Sequence, residues 1–159
     1  MAFVVVAAQY LLAAVFAAAA LAKVRDGRAF RQFVAALLLP ARLSTVATVA
    51  SELAVAVLLL VPATAPVGFA LALALLGVFS LALGRGRRLD VRVPCGCFGQ
   101  TSGGLLRNGV LAIVAAAGFT GSVATAPVPL STSFVATSAL GVAAAIVVVR
   151  FDDLRKGLR

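Results

Sequence analysis

The two cysteines of this chain, Cys95 and Cys97, are separated by a single glycine, Gly96. Two thiols on such a flexible tether can form a disulfide if the glycine adopts a permissive backbone conformation. The small ring would be strained, and strained, exposed disulfides exchange readily with other thiols. The chain has no His and one Met, so few other side chains offer reactive chemistry. The pair therefore predicts a redox-active dithiol.

Residues beside the pair favour the reactive thiolate form. Arg88 and Arg92 precede the cysteines, and the amino terminus of a predicted helix follows them. Positive charge and helix amino termini both stabilise a thiolate. We predict that Arg92 stabilises the attacking thiolate, and that one cysteine attacks a partner disulfide while the other resolves the mixed disulfide.

Other interpretations of the pair remain open. A structural disulfide would close a very short loop and so restrict the unfolded chain little. Two soft thiolates suit Cu(I) or Zn, but without His or a second cysteine pair one chain does not complete a tetrahedral site. Two buried, inert cysteines would be unusual in a glycine-rich polar loop. The redox interpretation needs no metal or cofactor. The alternative function is a non-enzymatic membrane assembly factor or transporter subunit whose cysteine loop binds a soft metal or docks a partner.

The segments that position the cysteines have the composition of a membrane protein. Of 159 residues, 63% are hydrophobic and 12% are charged, whereas soluble domains are about half apolar and a quarter charged. Five apolar stretches approach the length that a spanning helix needs; they are 3–22, 44–61, 67–83, 109–126 and 134–149. We expect an all-α bundle of about five transmembrane helices, forming a single membrane domain over residues 1–159.

The distribution of charge predicts how the bundle is oriented. The net charge is +9, and all fourteen Lys and Arg fall in the first connection, the third connection or the carboxyl-terminal tail. By the positive-inside rule, the amino terminus lies outside, and the carboxyl terminus and the cysteine loop lie on the cytoplasmic side. Because the basic residues are dispersed beside the spans, they favour lipid headgroups of the bilayer as their partners and argue against nucleic-acid binding.

A further amphipathic segment lies between the first two spans. Its apolar residues recur at helical spacing and are Phe30, Phe33, Val34, Leu37 and Leu38. This pattern predicts a short helix that lies in the membrane interface and is ended by Pro40. The alternative is a cytoplasmic extension of the first or second spanning helix.

The second span contains one ionisable residue, Glu52. It belongs to a polar stripe formed with Ser44, Thr48 and Ser51, and such a stripe should face the bundle interior. A functional role for Glu52 would be to accept or relay protons near the thiols. The preferred structural role is a polar anchor paired with Lys23 at the end of the first span, because polar groups within membranes so often pair.

Other polar and small residues predict contacts between helices. Gln9 in the first span predicts a helix-to-helix hydrogen bond. Ala117 with Gly121, and Gly118 with Ser122, place small residues four positions apart, which permits close helix approach. We interpret these positions as packing only.

Several motifs recur together in a known family. The first span ends in Ala-Leu-Ala-Lys at 20–23, Asp-Gly-Arg-Ala-Phe follows at 26–30, then come Pro40 and Glu52, and Cys-Gly-Cys-Phe-Gly lies at 95–99 after the third span. This combination resembles the MauE family, which is related to the DoxX-like membrane proteins. The resemblance covers about residues 11–126, leaving 134–149 as an additional carboxyl-terminal helix, and 95–99 is its most specific element.

The resemblance implies a role in protein maturation. Members of the family are associated with methylamine utilisation and with maturing the disulfide-rich small subunit of methylamine dehydrogenase, alongside a thioredoxin-like partner. For this chain it implies a thiol-disulfide component of a bacterial cytoplasmic membrane, acting on a thioredoxin-like protein or a disulfide-containing client. The charge pattern places the cysteines on the reducing side. An outward relay of reducing equivalents, a loop folded back into the bundle and an inverted topology therefore all remain open.

Overall fold

The computed structural model describes residues 2–89 and 104–124. These residues form five α-helices and no strand: α1 (Ala2–Arg25), α2 (Arg28–Ala36), α3 (Ala41–Leu60), α4 (Ala65–Arg88) and α5 (Gly104–Ala124), with a 3-10 turn at Pro62–Thr64. Four of them, α1, α3, α4 and α5, are long and apolar enough to cross a membrane. The all-α membrane bundle is thereby confirmed. The predicted fifth span at 134–149 lies outside the described residues.

Most helix ends extend beyond the predicted spans, by the largest amount on either side of the cysteine segment, whereas α3 ends one residue early, at Leu60. The prediction ended the third span at residue 83, but α4 continues to Arg88, and α5 begins at Gly104 rather than at 109. Both additions contain arginine, a good helix former, but also glycine, a poor one, so helix propensity alone does not explain them. The arginines of the last turn of α4 also interact favourably with the helix dipole. A helix therefore continues after its apolar run has ended, which hydrophobicity alone does not show.

The four long helices alternate in direction. Between α1 and α3, Lys23 contacts Glu52 and Gln9 contacts the carbonyl of Leu59, so higher numbers in one helix meet lower numbers in the other. The same antiparallel order holds for α4 and α5, where Gly104 lies beside Leu83. The carboxyl ends of α1 and α4 and the amino ends of α3 and α5 consequently lie together.

We call this end of the bundle the basic end. Nine of the fourteen Lys and Arg residues fall within the described part of the chain, and all nine belong to the helix ends and to the α2 segment that meet there. The opposite end, with the turn at Pro62–Thr64, has none. This segregation is the arrangement from which the sequence analysis predicted sidedness.

The core of the bundle depends on small residues in α5. Phe69 of α4 is fully buried, and it lies so close to Gly118 that a Cβ on this glycine would overlap its ring. A Cβ on Gly121 would come within 2.5 Å of the Val5 side chain of α1. The two glycines thus let α4 and α1 approach α5, as the sequence analysis proposed for packing. By contrast, Ile113 is 72% exposed, as expected for an apolar side chain that faces lipid.

The amphipathic segment forms a helix of its own, α2, so the alternative of a continuous extension is wrong. The chain turns away from α1 at Gly27, where a Cβ would lie 2.6 Å from the carbonyl oxygen of Lys23. The helix ends at Ala36 rather than at Pro40. Leu38 has a positive φ of 61° and is 89% exposed, so it leaves the predicted apolar face.

The apolar face of α2 packs against the bundle. Phe30, Phe33, Val34 and Leu37 are buried together, with Ala82 and Leu83 of α4 packed against them. The amphipathic pattern is confirmed, but much of the face that was expected to meet lipid meets protein instead. This helix closes the basic end over α3 and α4.

Candidate functional site

A buried ion pair joins α1 to α3. The Nζ atom of Lys23 lies 2.5 Å from Oε1 of Glu52, and the two side chains are 0% and 1% exposed. The predicted pairing is therefore correct, although Lys23 is enclosed in the bundle and does not extend to the membrane surface. Opposite charges this well buried are tolerated because each neutralises the other.

Two aromatic rings complete the surroundings of the lysine. The Nζ atom of Lys23 lies 5.2 Å from the centroid of Phe30 in α2 and 5.6 Å from that of Phe79 in α4. Both distances are within the range of a cation-π interaction. Side chains from four helices thus meet at one ammonium group, and neither ring contact was predicted from the sequence.

The two residues of the ion pair lie at different distances from the ends of their helices at the basic end. Lys23 is two residues from the end of α1, whereas Glu52 is eleven residues into α3. At 1.5 Å per residue, α3 extends about 16 Å past the pair towards the basic end. Helix α2 packs along this extension of α3. The offset explains why a separate helix is needed to cover the basic end.

A cavity of about 300 Å³ lies between the helices at this end of the bundle. Most of its lining is apolar and includes the rings of Phe16, Phe30, Phe33 and Phe79. Ser44, Thr48 and Glu52, one helical turn apart, also line it. This confirms that three residues of the predicted polar stripe face the bundle interior. Ser51, the fourth, donates its hydroxyl hydrogen to the carbonyl of Thr48.

Glu52 has one oxygen that the ion pair does not use. Its Oε2 atom is buried and has no hydrogen-bond partner among the described residues. Asn108 of α5 also lines the cavity, and its Nδ2 atom lies 3.4 Å from the Ser80 hydroxyl oxygen. Asn108 was not predicted as a site residue because the predicted span began one residue after it. A buried amide near the start of an apolar stretch is the signal that could have found it.

The other predicted site residues, Cys95, Cys97 and Arg92, lie outside the described residues. Glu52 is the predicted site residue whose surroundings the structure describes. Helices α4 and α5 precede and follow the cysteines in the sequence. The carboxyl end of α4 and the amino end of α5 both lie at the basic end, the same end as the ion pair and the cavity.

The sequence was compared with models of known protein families. The model described as methylamine utilisation protein MauE matches residues 1–121. The chain belongs to the MauE family. No curated protein and no solved structure matches it.

The MauE match spans all four described membrane helices almost to the end of α5. It includes the Lys23 and Glu52 pair, the residues that line the cavity and both cysteines. Together with the apolar helices, it establishes a multi-pass membrane protein of the MauE type.

Proposed function

We propose that this protein is a membrane component of thiol-disulfide exchange, or of disulfide-dependent protein maturation, with Cys95 and Cys97 as its redox pair. Membership of the MauE family is the observation that carries the proposal, because the matched region contains the only two cysteines of the chain. Their single-residue spacing suits reversible disulfide formation better than a structural role.

The proposed reaction exchanges one disulfide for another. A thiolate of the pair attacks a disulfide of the partner, forming a mixed disulfide and releasing one partner thiolate, which takes up a proton. The second cysteine then attacks the mixed disulfide. The products are an oxidised Cys95–Cys97 pair and a reduced partner dithiol, and the reverse sequence would oxidise the partner. The partner is a thioredoxin-like protein or a disulfide-containing client.

Two charged residues assist the proposed exchange reaction. Arg92 stabilises the attacking thiolate through its positive charge. Glu52 accepts or supplies a proton through Oε2, while Oε1 is engaged by Lys23. The position of Glu52 on the cavity wall at the basic end supports this second role.

Mixed-disulfide trapping tests the exchange. Cys95→Ser and Cys97→Ser are expressed separately, and covalent adducts are sought on non-reducing gels after acid quenching of free thiols. The variant that retains the attacking cysteine should accumulate an adduct that dithiothreitol releases, because the resolving thiol is missing. The double variant is the matched control and should form none. If both single variants support client maturation and neither forms an adduct, the redox proposal is wrong.

We also propose that the amino terminus lies outside and the cysteines face the cytoplasm, on the basis of the positive-inside rule. Intact cells are first treated with a reductant and then with a membrane-impermeant maleimide. The maleimide should fail to label the native cysteines until the membrane is permeabilised. Ala63→Cys in a background without Cys95 and Cys97 is the control. This exposed position lies in the turn opposite the basic end, so it should be labelled from outside. Labelling of the native pair in intact cells would invert the proposed topology.

A further inference from the structure

We infer that the cavity at the basic end binds a small, neutral ring compound that carries a hydroxyl group, a ligand of the phenol class, with the hydroxyl donating its hydrogen to Oε2 of Glu52. This inference goes beyond the proposed exchange reaction and needs neither cysteine. It rests on the size of the cavity, on its lining and on the unused oxygen of the ion pair.

The size and lining favour a ring. An apolar cavity of about 150 Å³ is known to take up benzene, and this one, at about 300 Å³, has room for a ring with substituents. Four phenylalanine side chains contribute to its wall. Aromatic pairs stabilise each other beyond the burial of their area, in offset-stacked or edge-to-face geometry. An aromatic ligand therefore gains more in this cavity than an acyl chain of equal area.

The polar part of the wall favours a hydroxyl donor. Glu52 is completely buried, and Oε2 lacks a hydrogen-bond partner among the described residues although the side chain lines the cavity. A buried acceptor without a donor is energetically costly, so a ligand that supplies one is stabilised. Lys23 already balances the charge of the carboxylate, and Arg107 of α5 adds a second cation to the cavity lining. A neutral donor is consequently a better complement to Oε2 than a further cation.

The ligand has a route to the cavity. Ala47 of α3 and Val78 of α4 line the cavity and are also exposed on the outer surface of their spanning helices. The cavity thus reaches the outside of the bundle beside these residues. An uncharged, apolar ring compound partitions into the bilayer and can enter from there.

Calorimetric titration of the detergent-solubilised full chain tests the inference with two matched probes. The first probe is 4-butylphenol, and the second is 4-butylanisole, which keeps the ring and the chain but has no hydroxyl hydrogen. Protein-free micelles correct for partitioning. The phenol should bind at least tenfold more tightly, as expected for a hydrogen bond to a charged acceptor. Equal affinities would overturn the inference, since they would indicate apolar filling alone or a carboxylate satisfied by water.

Protein variants locate the site. Ala47→Phe fills the cavity and should weaken phenol binding at least tenfold, whereas Ala50→Phe, an exposed position one turn further along α3 and outside the lining, should leave it unchanged. Equal affinity of the two variants would place the ligand elsewhere. The double variant Lys23→Met with Glu52→Met should lose the preference for phenol over anisole, and retention of that preference would exclude Glu52 as the acceptor.

The cysteines separate this inference from the proposed exchange reaction. The double variant Cys95→Ser with Cys97→Ser should bind the phenol as the native chain does. If binding fails in the native chain while mixed disulfides form, the cavity inference alone is wrong. If binding succeeds and no mixed disulfide forms, the exchange reaction alone is wrong.

Discussion

Removal of either member of the Lys23 and Glu52 pair should destabilise the bundle more than removal of both. The two charged atoms lie 2.5 Å apart, and both side chains are essentially inaccessible. Breaking a buried pair by substituting one partner typically costs about 3–5 kcal/mol, because a buried charge is left uncompensated. Replacing both partners by apolar side chains of similar volume is often nearly neutral. Methionine has a suitable length for both positions.

The two single variants should differ. In Glu52→Met, the ammonium group of Lys23 keeps its contacts with the rings of Phe30 and Phe79. Such a contact contributes about 0.5–1 kcal/mol at exposed sites and about 2 kcal/mol where it is desolvated, as it is around Lys23. In Lys23→Met, the carboxylate of Glu52 loses the only hydrogen-bond partner that it has among the described residues. We therefore expect Lys23→Met to be more destabilising than Glu52→Met by about 2 kcal/mol or more.

Unfolding by sodium dodecyl sulfate in mixed micelles, followed by circular dichroism, measures the four free energies of the double-mutant cycle. The coupling between the two positions should be at least about 2 kcal/mol. Arg25→Met is the matched control, because Arg25 is an exposed basic residue in the same turn of α1, and its effect should stay within about 0.5 kcal/mol. Additive losses in the double variant would refute the argument that the pair is held together by mutual neutralisation.

Two further predictions concern packing and use the same unfolding assay. Gly118→Ala should destabilise the bundle by about 1–3 kcal/mol, because the new Cβ overlaps the ring of Phe69. Gly109→Ala, in open space on the same helix, is the control and should be neutral or stabilising by up to about 1 kcal/mol through helix propensity. Equal effects of the two substitutions would contradict the close approach of α4 and α5. Phe33→Ala should cost about 3 kcal/mol, since its buried ring joins α2 to the bundle, and a loss below about 1 kcal/mol would show that α2 contributes little to stability.

The spanning helices and the ion pair could be predicted from the sequence because a membrane limits the alternatives. An apolar stretch of sufficient length has to form a helix in lipid, since its backbone groups have no other partners. A carboxylate within such a helix must be compensated, and Lys23 is the first basic residue beyond the preceding span. The direct contact of Lys23 with Glu52 follows from these two constraints and from antiparallel neighbouring helices.

The rest of the site could not be predicted from local patterns. Phe79 and Asn108 look like an ordinary apolar residue and an ordinary flanking amide in the sequence, and they reach the cavity only through the register of α4 against α5. The position of α2 was missed for a similar reason. An amphipathic period shows that one face is apolar, but it does not show whether lipid or protein covers that face.

The offset of the ion pair connects these missed features. Because Lys23 is near the end of α1 while Glu52 is well inside α3, α1 cannot cover the first turns of α3. Helix α2 covers that region instead, and the turn at Gly27 directs it there. A helix of nine residues cannot fill the space completely, and the cavity occupies what remains. The register of α1 against α3, which the pair and the Gln9 hydrogen bond both share, thus leaves a region for α2 to cover and a cavity in which Glu52 offers its second oxygen.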